Sequence, residues 1–386
     1  MADTNTKKRV GSPLQLPPGR RVKKVLHRTT SSIWNLEIYR RLGRAIKADP
    51  EVNLSNILPR DYSKKLLSYQ ALSLDPPTRQ PSGSRFDRDD IRSWLRPSDP
   101  STILFGPTER LQTLIGTGDE MSAKLFHLLI GAKVIFKSVS RLVLEVSDGV
   151  VVKITNEAAF AATEYRSLQY LQAHLEEFPS PKPHGLVRLG HLSLLFMSLI
   201  PGQNLERIWP NLNDAQKQDI SSQIDNMLLH LRSLPPIAHL GDVEGFGCSD
   251  TRRSTRVQTE PVLNTEAFRN FIFAGVNPGT TIYADFLRRL LPPPSKECVF
   301  THGDIRPANI MMDTKNGSWR VSGLIDWEQS GFYPAWWESV KMTNNLTTHG
   351  SLDWYMYLPK SVSPEQYPIE WLVDRLLDPI QKTSTY

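Results

Sequence analysis

The chain has 386 residues, 39% of them hydrophobic, and a formal net charge of +6, enough chain for two domains or one two-lobed enzyme with a full core. Its two cysteines, Cys248 and Cys298, exclude a disulfide framework or a cysteine-rich metal site. So mild a charge does not argue for nucleic acid, and the longest apolar run, Leu192 to Ile200, contains serines and is too short to span a bilayer, so neither partner is expected.

Residues 1–30 read as a basic disordered tail: Lys7, Lys8, Arg9, Arg20, Arg21, Lys23, Lys24 and Arg28 face a single acid, Asp3. Lys7–Arg9 and Arg20–Lys24 resemble a bipartite nuclear signal. No apolar h-region follows the N-terminus, so the cytoplasm is the expected location and the nucleus the alternative. Residues 31–120 read as an N-terminal extension, mostly helical or irregular, that offers a place for a protein partner without a motif that names one. Ser32 is placed to cap a short helix carrying Ile33, Trp34, Ile38 and Leu42. Pro76-Pro77, Pro81 and Ser82-Gly83-Ser84 mark a loop. Thr108 and Asp119 precede two further helices, the second ending near Gly131.

Residues 121–200 read as a small nucleotide-binding lobe. Lys133–Phe136 and Arg141–Val146 are strands, and Asp148-Gly149 turns the latter into Val150–Ile154, a strong hairpin signal. Asn156 opens an Ala-rich helix to about Leu175, and Leu192–Phe196 is another strand. Residues 201–386 read as a larger, mainly helical lobe that carries the catalytic loop, the metal site and the acceptor site. Asn213 with Gln216 begins a long helix that runs to Arg232; residues 237–265 are loop-like and 283–291 helical. The fold class is α+β, a small antiparallel sheet followed by a helical lobe.

Lys153 lies among Val150, Val152 and Ile154, where a lysine either faces solvent or meets a buried anion. Glu164 sits on the apolar stripe of the following helix with Phe160, Ala161, Leu168 and Leu171. Together they suggest a Lys153–Glu164 pair that fixes the ammonium against nucleotide phosphates. Between the first two strands stands Lys137-Ser138-Val139-Ser140, without a glycine-rich motif; Ser138 and Ser140 are candidates to meet phosphate oxygens, or form an ordinary polar turn. Met197 and Ser198, just before Pro201-Gly202, are candidates to meet the base.

Residues 301–310 read Thr-His-Gly-Asp-Ile-Arg-Pro-Ala-Asn-Ile, and Leu324-Ile-Asp-Trp follows an apolar strand. Phosphoryl transfer needs a carboxylate at the acceptor hydroxyl and oxygen ligands for Mg²⁺. Asp304 is placed for the first task and Asn309 and Asp326 for the second, in the spacing of a kinase catalytic loop. Arg306 is a candidate for charge stabilisation at the γ-phosphate, Glu328 for assisting the metal through water. His302 is read as structural, holding the turn at Asp326. Trp336, Trp337, Trp354 and Tyr355 are either a cage for a cationic amine or packing core.

The chain resembles the aminoglycoside phosphotransferase and choline kinase-like family, especially its fungal branch. The resemblance rests on Val151-Val-Lys153, Glu164, Leu199-Ile-Pro-Gly202, His302-Gly-Asp304 through Asn309, Leu324-Ile-Asp-Trp-Glu328, Tyr333-Pro334 and Trp337-Glu338, and covers roughly residues 125–345. It implies a protein-kinase-like two-lobe fold and ATP- and Mg²⁺-dependent phosphorylation of a hydroxyl on a small molecule. Gly303 and Asp326-Trp-Glu328 separate the chain from protein kinases, and no Ala-Pro-Glu segment is present. The alternative is a non-catalytic, kinase-shaped binding protein.

Overall fold

The computed structural model describes residues 30–59, 62–63, 90–116, 118–138, 140–250, 256–274, 281–295, 297–348 and 350–382. The basic tail to residue 29, with its nuclear-type signal, and the loop expected at 76–84 lie outside the described residues. The chain divides into two compact units, Met1–Gly83 and Ser84–Tyr386. In the first, helix Thr30–Ala48 runs through Ser32 instead of being capped by it.

The second unit is framed by a six-stranded antiparallel sheet in the order β1-β5-β6-β4-β3-β2. Its strands are β1 (Ser101–Phe105), β2 (Lys133–Lys137), β3 (Arg141–Ser147), β4 (Val150–Thr155), β5 (Pro183–Leu189) and β6 (Leu192–Ser198). The hairpin turn between β3 and β4 uses Gly149 at a φ of 65°, as the Asp-Gly pair requires. The sheet starts earlier than the sequence suggests, because Ser101–Phe105, read as part of the extension, pairs with β5 at the edge. β1 is largely exposed and β5 contains Pro183 and Gly185, so neither carries the alternation that marks a half-buried strand.

β4 lies inside the sheet and is buried along its whole length. Val152 and Ile154 join Leu142, Leu144 and Phe196 on one face, packed against Leu111 and Ile115 of helix Glu109–Ile115 and Leu125 and Leu129 of helix Met121–Gly131. Each side chain removed from water in this way contributes about 1.5–3 kcal/mol. Val151 and Lys153 project from the other face, where helix Ala158–His174 packs through Leu168 and Leu171. That helix begins later than expected: its N-cap is Glu157, whose N–H is taken by Thr155 Oγ1 at 3.1 Å, and Asn156 is left exposed. Asp119 lies in a 3-10 turn, Gly118–Glu120, that precedes helix Met121–Gly131 as expected.

Beyond β6 the linker passes Gly202 into β7 (Gln203–Asn204) and helix Asp214–Arg232, which opens on the expected capping box of Asn213 and Gln216. The stretch expected to be loop contains a short pair, β8 (Cys248–Asp250) and β9 (Arg256–Gln258). Helices Thr265–Phe273 and Thr281–Leu290 follow. Next come β10 (Cys298–Thr301), β11 (Ile310–Lys315), β12 (Ser318–Leu324) and β13 (Gly331–Pro334). β10 pairs with β13, and β11 lies between β12 and β7. Helices Trp337–Met342 and Pro368–Lys382 complete the α+β order of a small sheet and a larger, mainly helical part. Among the described residues no helix is long and apolar enough to cross a membrane.

Gly202 ties the linker to β11. Its φ is 109°, and a Cβ there would meet the Met312 carbonyl oxygen at 2.1 Å. Gly317 also has a positive φ, 77°, but open space around it. Gly202→Ala is therefore expected to cost about 3 kcal/mol or more and Gly317→Ala about 1 kcal/mol, as read from the urea midpoints of the two variants.

Candidate active site

The loop after β10 is built on His302 and Gly303. Glu338, buried at the start of helix Trp337–Met342, accepts the backbone N–H of His302 at 2.7 Å and of Gly303 at 3.2 Å. Burial raises the Glu338 carboxyl above its ordinary range, while the two N–H groups pull it down. Gly303 has a φ of 79°, and a Cβ would lie 2.4 Å from the Gln329 carbonyl oxygen, so only glycine fits. His302 is fully buried and uses both ring nitrogens. Nε2 donates to the Ile325 carbonyl at 3.1 Å, and Nδ1 accepts the Asp304 N–H at 3.2 Å. A proton added at Nδ1 would face that N–H, so the imidazole must stay neutral; burial lowers its pKa to about 4. His302 thus holds Asp304 and Ile325 in register and has no free nitrogen for proton transfer, as its structural reading requires.

Asp304 follows directly. Its Oδ2 accepts Asn309 Nδ2 at 2.8 Å and Arg306 Nε at 3.2 Å, and Asn309 Nδ2 also reaches the Asp304 carbonyl at 2.9 Å. Burial raises the Asp304 carboxyl, opposed by Arg306. The Asn309 carbonyl in turn accepts the N–H of Ile325 at 3.0 Å. This joins the turn Pro307–Asn309 to the segment after β12. Asp326 is held there in the left-handed region at a φ of 72°, which aspartate tolerates better than most residues.

The sheet meets this loop at Lys153. Its ammonium bonds Glu164 at 2.6 Å, Glu328 at 3.0 Å, and Asp326. Glu164 is itself fixed by the Trp327 N–H at 3.1 Å. Burial opposes the ammonium, but Asp326, Glu164 and Glu328 outweigh it and raise the lysine above its ordinary value. Burial likewise works against the Asp326 carboxylate, yet Lys153 and then Arg141 hold it at about 2. Burial dominates at Glu164, which is raised, and at Glu328, which is pushed up to about 7.

The sequence reading missed two participants. Arg141, the first residue of β3, bonds Glu328 at 2.6 Å and Glu157 at 3.1 Å and lies 3.9 Å from Asp326. Only its place beside the Ser138–Ser140 turn hinted at a role. The task of Glu338 was also unread, although Trp337-Glu338 was noted as a segment. Of the predicted residues, the structure brings Lys153, Glu164, Asp326 and Glu328 into one cluster and His302, Asp304, Arg306 and Asn309 into the loop beside it. The others stand apart from both. Ser138 directs its N–H and its hydroxyl to the Arg141 carbonyl, at 2.8 and 3.3 Å, and Ser140 is exposed. Met197 is buried in the core beneath the sheet. Ser198 exchanges bonds with the Lys182 backbone at 2.8 and 2.9 Å. Of the two readings of the aromatics, the structure takes the packing core: Trp336 and Trp337 pack with Phe268, and Trp354 packs on Trp209, all three buried, while the partly buried Tyr355 packs against that core.

The family model described as "Phosphotransferase enzyme family" matches residues 135–360, the span that contains every group above. The chain belongs to that family. Among solved structures, the chain is similar to the streptomycin–ATP ternary complex of APH(2")-IIa, at 11% identity and a TM-score of 0.44, over 70% of this chain and 85% of that one. It is also similar to the aminoglycoside phosphotransferase APH(3'')-Id from Streptomyces rimosus, at 14% identity and a TM-score of 0.39, over 65% and 86% of the two chains. No curated protein sequence matches the chain.

For a phosphotransferase the cluster has suitable donors. Glu164, Asp326 and Glu328 each offer an oxygen within 4.8 Å of the others. Asn309 has its NH₂ on Asp304, which leaves the amide oxygen as its ligand atom. Carboxylate and amide oxygens are the hard donors that Mg²⁺ takes, so the residues present fit such an ion.

The neutral state of His302 has a measurable consequence. Its folded pKa lies below the unfolded value, so the unfolded chain binds the extra proton more readily, and stability falls as pH drops from about 6.5 to 4, by on the order of 3 kcal/mol. Urea denaturation of wild type and His302→Asn across this range is expected to show that part of the slope only in the wild type.

Proposed function

We propose that this phosphotransferase moves the γ-phosphoryl group of ATP, in the presence of Mg²⁺, to a hydroxyl of a small molecule. The observation that carries the reading is the direct ion pair between Lys153, on the sheet, and Asp326, on the segment after β12, beside the loop that fixes Asp304 and Asn309. A cation suited to phosphates, oxygens suited to a metal and a carboxylate suited to an acceptor hydroxyl lie within one region of the chain, which supports the reading.

Each residue then has a task. Lys153, oriented by Glu164, attracts phosphate oxygens. Asn309 and Asp326 would hold Mg²⁺, which when bound neutralises charge on the β and γ oxygens. Asp304 carries both side-chain bonds on Oδ2, so Oδ1 is the atom left for the acceptor hydroxyl. It orients that hydroxyl and receives its proton as the new O–P bond forms and the bond from the β–γ bridging oxygen to the γ-phosphorus breaks, the electron pair leaving with ADP. Arg306, held against Asp304 and partly exposed, brings positive charge to the transferring group.

The acceptor class is open to direct test. Wild type, ATP and Mg²⁺ incubated with a library of hydroxylated amines and sugars are expected to give a product heavier by one phosphate in mass spectrometry. Asp304→Ala should lower that turnover by about 10³-fold while ATP binding persists; undiminished turnover would contradict the assignment of Asp304.

A further inference from the structure

We infer that Arg141 is a second phosphate-binding cation, which together with Lys153 takes the anionic group that Glu328 now supplies. The inference rests on the ATP reading above and gives its nucleotide site a residue that the kinase-loop spacing does not include.

The geometry is that of an anion site with a carboxylate in it. Glu328 places Oε1 on Arg141 at 2.6 Å and Oε2 on Lys153 at 3.0 Å, so the two oxygens of one anion bridge two cations. A phosphate group also presents pairs of oxygens and forms charge-assisted bonds with both lysine and arginine. Lys153 has three ammonium hydrogens, and all three meet carboxylates, those of Glu164, Asp326 and Glu328. It can therefore bond phosphate only when one of these carboxylates yields. Glu328 is the one within direct hydrogen-bond distance of both Lys153 and Arg141, so its displacement opens a bonding position on each cation at once. Four carboxylates, those of Glu157, Glu164, Asp326 and Glu328, face two cations here, so negative groups are in excess. A triphosphate arriving with Glu328 still seated would therefore meet net repulsion.

The neighbouring turn points the same way. Where a glycine-rich loop would offer backbone amides to phosphate, Ser138 turns its N–H and hydroxyl inward onto the Arg141 carbonyl. Those donors fix the strand start from which the guanidinium projects. The turn thus positions a charge instead of presenting amides, and Arg141, with a side chain 26% exposed, remains accessible to solvent beside Glu328.

Calorimetric titration of ATP and of adenosine, with Mg²⁺ present, separates the outcomes. Arg141→Gln is expected to weaken ATP binding by about tenfold or more and to leave adenosine binding within about twofold, with Arg141→Lys recovering part of the loss. Unchanged ATP affinity in Arg141→Gln, alongside a loss in Lys153→Met, would overturn the role of Arg141 and leave the ATP reading standing. An equal loss of ATP and adenosine would also overturn it, because a residue that only holds the fold does not discriminate phosphate. A wild type that binds no ATP would overturn both.

Discussion

Lys153 carries a positive charge to a position that water barely reaches, and three carboxylates from separate parts of the chain answer it: Glu164 from the helix after β4, Asp326 and Glu328 from the segment after β12. None of these groups is stable there without the others. A buried charge left unpaired costs several kcal/mol, so the sheet, the helix and the segment after β12 are tied to one another by a requirement for electrical balance. The period of two along β4 sends Val152 and Ile154 into the apolar layer and Lys153 out of it toward the acids.

The loop that bears Asp304 is rigid for a different reason. Glu338 satisfies two buried N–H groups at its start, and the neutral His302 clamps Asp304 on one side and Ile325 on the other. Asn309 closes the loop through both the carbonyl and the carboxylate of Asp304. A carboxylate held in this way needs little reorganisation, which is what the role proposed for Asp304 requires.

Much of this was legible in the chain, for physical reasons. Lys153 and Glu164 each break a local apolar pattern, and two anomalies so close together suggest that each explains the other. The spacing of Asp304, Asn309 and Asp326 is legible because one loop and one hairpin bring them together. Arg141 and Glu338 have no such signal: Arg141 meets Glu328 only after the sheet and the catalytic segment are assembled, and Glu338 acts through backbone groups far from it in sequence. β1 was missed because an exposed edge strand shows no alternation. The choice between cage and core for the tryptophans is not legible in the sequence, because aromatic residues look alike whether they line a pocket or fill a core; here they fill it.

The Lys153–Asp326 pair joins the sheet to the segment after β12. A double-mutant cycle on folding stability, with Lys153→Met, Asp326→Asn and both together, measures that link directly. The account predicts a coupling of about 2 kcal/mol or more between the two sites. Stability losses that simply add, within about 0.5 kcal/mol, would contradict it.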